Sequence, residues 1–171
     1  LIFNLVIIQP IAKANGREAL PWFNKEVAPR NWFYPLAFRN YVNPELKTML
    51  FESPKTSGFR ITYLDANFPF IDGFPLLPHL SHNGGKKIDI SFMYSDDKGE
   101  LTNDKPSRSG YGSYVQKDSQ SSKNCLKQGF WQYDFSKYLT FGTNDDLQFD
   151  KKSTRDLIQS LISKPQTQSI F

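Results

Sequence analysis

Of 171 residues, one is cysteine and two are histidine, so the side chains that usually organise covalent structure and metal chemistry are scarce. With Cys125 alone, no disulfide closes within these residues and no cysteine-based zinc site can form. A single cysteine leaves the compartment undecided. Long hydrophobic runs are missing too. The sequence begins LIFNLVII, and these eight residues are too few for a bilayer, which takes roughly 20. Residues 1–12 read either as the end of a signal or membrane segment, which would attach the protein to a membrane, or as a buried strand. Periodicity does not separate short apolar runs. Charge is not concentrated: 21 basic and 17 acidic residues are spread along the chain for a net charge of +4. Nucleic-acid binding usually needs a concentrated basic face, so no nucleic-acid partner is expected. There is no internal repeat and no low-complexity tract.

Aromatic residues are abundant at 15%, with 15 Phe and 8 Tyr, and 11 Pro and 10 Gly imply many turns. Aromatic side chains favour half-buried sheet surfaces. The expected fold is α+β, with a small antiparallel sheet, flanking helices and long loops, and residues 13–171 as a single domain. Pro21, Pro29, Pro35 and Pro44 break up the aromatic segment in which they fall. PELKTMLFES predicts about two helical turns, with Asn43 as cap and Pro44 at the first position. A strand is expected over residues 59–64, ahead of the turn-prone DAN. FPFIDGFPLLPH reads as an extended loop. In KKIDISFMY, Ile88, Ile90 and Phe92 alternate with Asp89, Ser91 and Met93, the pattern of a strand. The polar stretch after it is a long loop or a hairpin, and FWQYDFSKYLTFG is either strand or short helix. Near the end, Ser153 predicts an N-cap for a helix with the stripe Leu157, Ile158, Leu161 and Ile162, stopped by Pro165. QTQSIF then looks like the start of a strand.

Both histidines fall in PLLPHLSHNGGKKIDIS, residues 75–91. They stand three apart, and Asp89 follows His82 by seven. Zinc takes neutral imidazole and carboxylate ligands, and a hydrolytic site keeps three of them and one open position. A turn carrying His82, a flexible pair Gly84 and Gly85, and a strand aiming Asp89 away from Ile88 and Ile90 can bring two ligands together. An aspartate amid apolar strand residues needs a partner, because a buried unpaired carboxylate is costly. On the residues alone, His79 is a rival third ligand beside His82 and Asp89. Equally, either histidine can be a loop residue bonded to backbone.

HLSHNGGKKID, His79 to Asp89, resembles the His-x-x-His-x-x-Gly-x-x-x-Asp signature of penicillin-insensitive murein endopeptidases. A shorter form of that pattern recurs among D-alanyl-D-alanine metallopeptidases, lysostaphin-type enzymes and hedgehog domains. The resemblance covers eleven residues directly. It implies Zn2+ held by His82 and Asp89, an accessory active-site role for His79, and Gly85 as the glycine of the turn. The family's third ligand lies in a downstream His-x-His strand, and its acid/base histidine lies just before it. No histidine follows His82 here. Either a C-terminal strand is missing or the protein is a degenerate relative, and the former is expected from the QSIF ending.

The resemblance implies a zinc metallopeptidase that hydrolyses amide bonds of peptidoglycan stem peptides or cross-links, in the cell envelope, periplasmic or membrane-attached. The alternative is a non-catalytic binding module on the same scaffold. With two ligands, these residues are expected to bind zinc weakly and cleave nothing. Arg60 and Arg108 are candidates for holding a substrate carboxylate. Tyr111 and Tyr114, in PSRSGYGSY, are candidates for a substrate loop, or pack its base.

Overall fold

The computed structural model describes residues 2–77, 79–113, 120–129 and 135–170. Helix and strand are mixed, and the strands form three small sheets rather than one. The apolar start is helical, not a strand. A π-helical turn, Asn4–Ile8, runs into α1, Gln9–Ala14. Asn4, Ile8 and Ala12 recur every four residues and are buried, while Ile2, Phe3, Leu5, Val6 and Ile7 stay exposed. Ile8 and Ala12 pack around Tyr41, whose hydroxyl donates to Asn4 Oδ1 at 3.1 Å. Among the described residues no helix is long and apolar enough to cross a membrane.

Two strand pairs follow. β1, Glu18–Ala19, pairs antiparallel with β3, Tyr41–Val42, and β2, Val27–Pro29, pairs parallel with β4, Ile61–Tyr63. Between β2 and β3 the proline-rich segment makes only the short α2, Phe33–Leu36. The predicted cap of α3 is present: Asn43 Oδ1 accepts from Leu46 N at 2.8 Å, with Pro44 at the first position. The helix runs further than its first ten residues suggest, as Pro44–Ser57, through Pro54 to Gly58, whose left-handed φ of 74° closes it.

KKIDISFMY is not a regular strand. Residues 86–93 run extended beside β4, held by a bridge between Tyr63 and Ile90 and by Ser91 N donating to Thr62 O at 2.9 Å. Past them lies an antiparallel sheet in which β5, Tyr94–Ser95, is flanked by β6, Leu101–Thr102, and β7, Gln148–Phe149. The polar stretch thus holds a hairpin. It also contains α4, Gln120–Lys127, while residues 114–119, Tyr114 among them, lie outside the described residues. FWQYDFSKYLTFG is described from residue 135, where Phe135–Leu139 is a 3-10 helix.

α5, Lys151–Ile162, is capped three residues before the expected Ser153. Asp150 takes that place, its carboxylate accepting from Ser153 N at 2.7 Å. Leu157 and Leu161 are buried in the main core, whereas Ile162 is exposed. Full burial of one such leucine is worth about 2 kcal/mol. Residues 167–170 form no strand. α5 packs on α3. It also pins the segment that carries Asp89: Thr154 Oγ1 accepts from Met93 N, and Asp150 N donates to Met93 O, both at 3.0 Å.

Candidate metal centre

Two neighbouring extended segments set up the site. Leu64 N donates to Asp89 O, and Asp89 N donates to Asp65 O, each at 2.8 Å. This backbone pairing brings two aspartates 24 residues apart in sequence side by side. The turn with both histidines closes over them. His82 N donates to His79 O at 3.0 Å, and the imidazole rings lie 5.2 Å apart between centroids.

The turn is anchored from below by fully buried Asn67. Its Oδ1 accepts from Gly85 N at 3.1 Å, and its Nδ2 donates to Lys87 O at 2.8 Å and Tyr41 O at 3.0 Å. Gly85 has a φ of 74°, and a Cβ there would lie 3.1 Å from Arg17 Nε. The turn therefore favours glycine here for its conformation, and a side chain would also require Arg17 to give by a few tenths of an ångström.

His82 is buried, and its Nδ1 lies 3.1 Å from the carbonyl of Ala66. A carbonyl can only accept, so this contact places a proton on Nδ1 and leaves Nε2 as the nitrogen directed at Asp89, 3.2 Å from its Oδ1. At that distance Nε2 either donates a proton to the carboxylate or, unprotonated, shares a cation with it. The second oxygen of Asp89 is equally engaged: Oδ2 lies 2.9 Å from His79 Nδ1 and accepts from the Tyr111 hydroxyl at 2.5 Å. His79 Nδ1 is also 3.0 Å from Asp65 Oδ2.

Asp65 is the member of the cluster that sequence reading did not single out. It is buried and forms a two-pronged ion pair with Arg39, Nε donating to Oδ1 at 2.7 Å and the second nitrogen to Oδ2. The signal in the sequence was faint: a carboxylate directly after the apolar run ITYL, read only as turn-prone. Asp65, His79 and His82 lie close enough to one another to hold a metal ion.

The electrostatics follow from this crowding. Hydrogen bonds to Asp65 and then to Asp89 raise the His79 pKa to about 9, against the opposing effect of burial. For Asp89, burial is the largest influence and acts upward. Contacts with His79 and His82 outweigh it and hold the carboxyl below the usual range. Burial, followed by the Asp89 charge, pushes the Tyr111 hydroxyl far up, so it remains a donor.

Of the residues predicted from sequence, His79, His82 and Asp89 converge, and Gly85 shapes their turn. Tyr111 joins them, with its ring edge-on to His79 at 5.1 Å. It is half-buried and bonded to Asp89, not displayed on a lid. Its loop lies tight on the core: a Cβ on Gly110, at a φ of 89°, would overlap the Leu64 side chain. Tyr34 holds the same loop by donating to Ser109 O at 2.5 Å. Arg60 and Arg108 make no hydrogen bond or ion pair with the cluster among the described residues; Arg60 lies near Lys105, and Arg108 lines a cavity beside it.

No family model, curated protein or solved structure matches the chain.

Proposed function

We propose that the cluster is a zinc centre of a peptidase acting on amide bonds of peptidoglycan stem peptides or their cross-links. The observation that carries the metal reading is the closeness of Asp65, His79 and His82, with Nδ1–H of His82 committed to a carbonyl so that Nε2 is the ring nitrogen free for an ion. A backbone acceptor on the far nitrogen is how ligating histidines are ordinarily oriented. Bonds of about 2.0–2.2 Å in tetrahedral geometry put donors roughly 3.3–3.6 Å apart; the contacts here run from 2.9 to 3.2 Å, hydrogen-bond distances that a bound ion would have to open slightly.

In this reading His82 and Asp89 are fixed donors and His79 Nδ1 closes the set, with Asp65 beside it. Arg39 neutralises Asp65, and Tyr111 fixes the rotation of the Asp89 carboxylate. When bound, zinc would acidify a water and polarise a scissile carbonyl. The peptidoglycan substrate, the cell-envelope location and the finer likeness to the murein endopeptidase and hedgehog scaffold rest on the resemblance of residues 79–89 alone.

A second reading of His79 has its own support. Asp65, held by Arg39, approaches His79 Nδ1 at 3.0 Å, and the histidine side chain is 23% exposed. Such an Asp–His pair suits proton transfer to substrate, the accessory role expected from the resemblance. A His79→Ala variant separates the two: loss of zinc makes His79 a donor, while retained zinc with lost turnover makes it the proton carrier.

The test of the whole proposal is metal content and cleavage together. Purified protein should take up one equivalent of zinc, measured by elemental analysis, and His82→Ala should lose it. Equal zinc in both removes the centre. Zinc uptake without hydrolysis of a murein-derived peptide leaves the binding-module alternative in place of the peptidase.

A further inference from the structure

A second cluster of charge lies outside the centre. Segments 104–108 and 140–144 are laced together by backbone bonds, Arg108 N to Thr140 O at 3.0 Å and Asn144 N to Pro106 O at 2.8 Å. They frame an open cavity of about 350 Å³, whose wall includes Arg30, Lys105 and Arg108. Among the described residues Asp104 is its one acidic lining residue, and it is exposed.

These cations are held by neutral groups. Arg30 donates from Nε to Ser107 O at 2.8 Å and from a terminal nitrogen to Lys105 O at 3.4 Å. Lys105 is 2% exposed, donates to Phe92 O at 3.0 Å and lies 5.5 Å from the centre of the Tyr94 ring. An ammonium has three hydrogens to place, and one acceptor with a ring face does not use them all. Among the described residues none of the three cations forms an ion pair with a carboxylate. Arg60 adds to the charge acting on Lys105, and its buried Nε has no hydrogen-bond partner. Burial, reinforced by Arg30 and Arg60, lowers the Lys105 pKa to about 8. Asp104 offsets part of the charge on Arg30 and Lys105, but one exposed carboxylate against this many cations leaves an excess of positive charge that an anion relieves.

We propose that this cavity binds an oxyanion group, a phosphate or the carboxylate end of a peptide, on Arg30, Lys105 and Arg108. The Arg108 guanidinium can give a planar, two-pronged contact to such a group, while Arg30, with Nε and one terminal nitrogen bonded to carbonyls, adds its remaining N–H groups and charge, and Lys105 supplies a fixed charge at the cavity wall. The volume accommodates more than a lone ion, so the group can belong to a larger molecule. The site shares no residue with the histidine and aspartate cluster, and it stands whether or not that cluster holds metal.

The test uses metal-free protein at constant ionic strength, titrated calorimetrically with inorganic phosphate, with N-acetylalanine and with its neutral amide. Arg108→Gln is the main variant, because Arg108 is exposed and its loss leaves the core intact. One of the two anions should bind with a Kd of about 1 mM or tighter, and Arg108→Gln should weaken it about 10-fold. The amide should not bind. Tighter phosphate assigns a phosphate ligand, and tighter N-acetylalanine assigns a peptide terminus. No binding of either anion, or equal binding by Arg108→Gln, overturns the proposal.

Discussion

Tyr111 donates its hydroxyl hydrogen to Oδ2 of Asp89 at 2.5 Å, and its ring stands edge-on to His79. A loop from one part of the chain thus sets the orientation of a carboxylate in another. Tyr111→Phe removes that bond and a longer contact of 3.5 Å to His79 Nδ1. Stability should fall by about 1.5–3 kcal/mol, the range for hydrogen bonds to charged groups. Zinc affinity should drop about 10–100-fold, as for other outer partners of ligands. Urea denaturation and competitive zinc titration measure the two; unchanged affinity would mean that Asp89 is not a ligand.

Arg39 and Asp65 form an ion pair in which the side chains are 12% and 2% exposed. Arg39→Met leaves Asp65 with His79 as its remaining charged partner. Removing one partner of a buried pair costs about 3–5 kcal/mol. The lower end is expected here because His79 still faces the carboxylate, and chemical denaturation reads the difference.

Lys105 makes stability depend on pH in an unusual direction for a lysine. Its native pKa of about 8 lies below the ordinary 10.5. Between these values the unfolded chain keeps a proton that the native protein has released, so stability rises with pH across this window. The penalty is fully present below pH 8 and amounts to on the order of 3 kcal/mol. Lys105→Met should flatten the slope between pH 8 and 10 in melts compared with the parent. Parallel slopes would show that Lys105 titrates normally.

Gly85 is the one residue of the histidine turn held at positive φ against a neighbour on both sides, Arg17 Nε and Asn43 N. Gly85→Ala should cost about 1–2 kcal/mol from backbone strain, and more if Arg17 cannot shift. A melting temperature equal to that of the parent would show that the turn tolerates a side chain.

Local signals in the sequence translated well into structure where the controlling atoms are close along the chain. Asn43 and Pro44 start α3, and Gly85 makes the turn, because a cap or a left-handed bend depends on a few adjacent residues. The cap of α5 shows the limit of that logic. Asp150 and Ser153 are both capping types three apart, and the carboxylate takes the Ser153 N–H, which starts the helix earlier. Residues 2–8 illustrate another limit, since an apolar run is compatible with helix or strand until packing around Tyr41 selects every fourth residue for burial.

The sequence by itself determined the mixed helix and strand character, and it marked His79, His82 and Asp89 as a group, because their spacing crosses a single turn. Asp65 and its anchor Arg39 were decided only by the tertiary structure, as was the bond of Tyr111 to Asp89, since the sequence offered that tyrosine only for a substrate loop or its base. Each reaches the cluster from a separate segment, through backbone pairing of residues 64 and 65 with 89 and a loop seated on Leu64. Contacts of that kind depend on which segments the core brings together, and no periodicity or local motif encodes them.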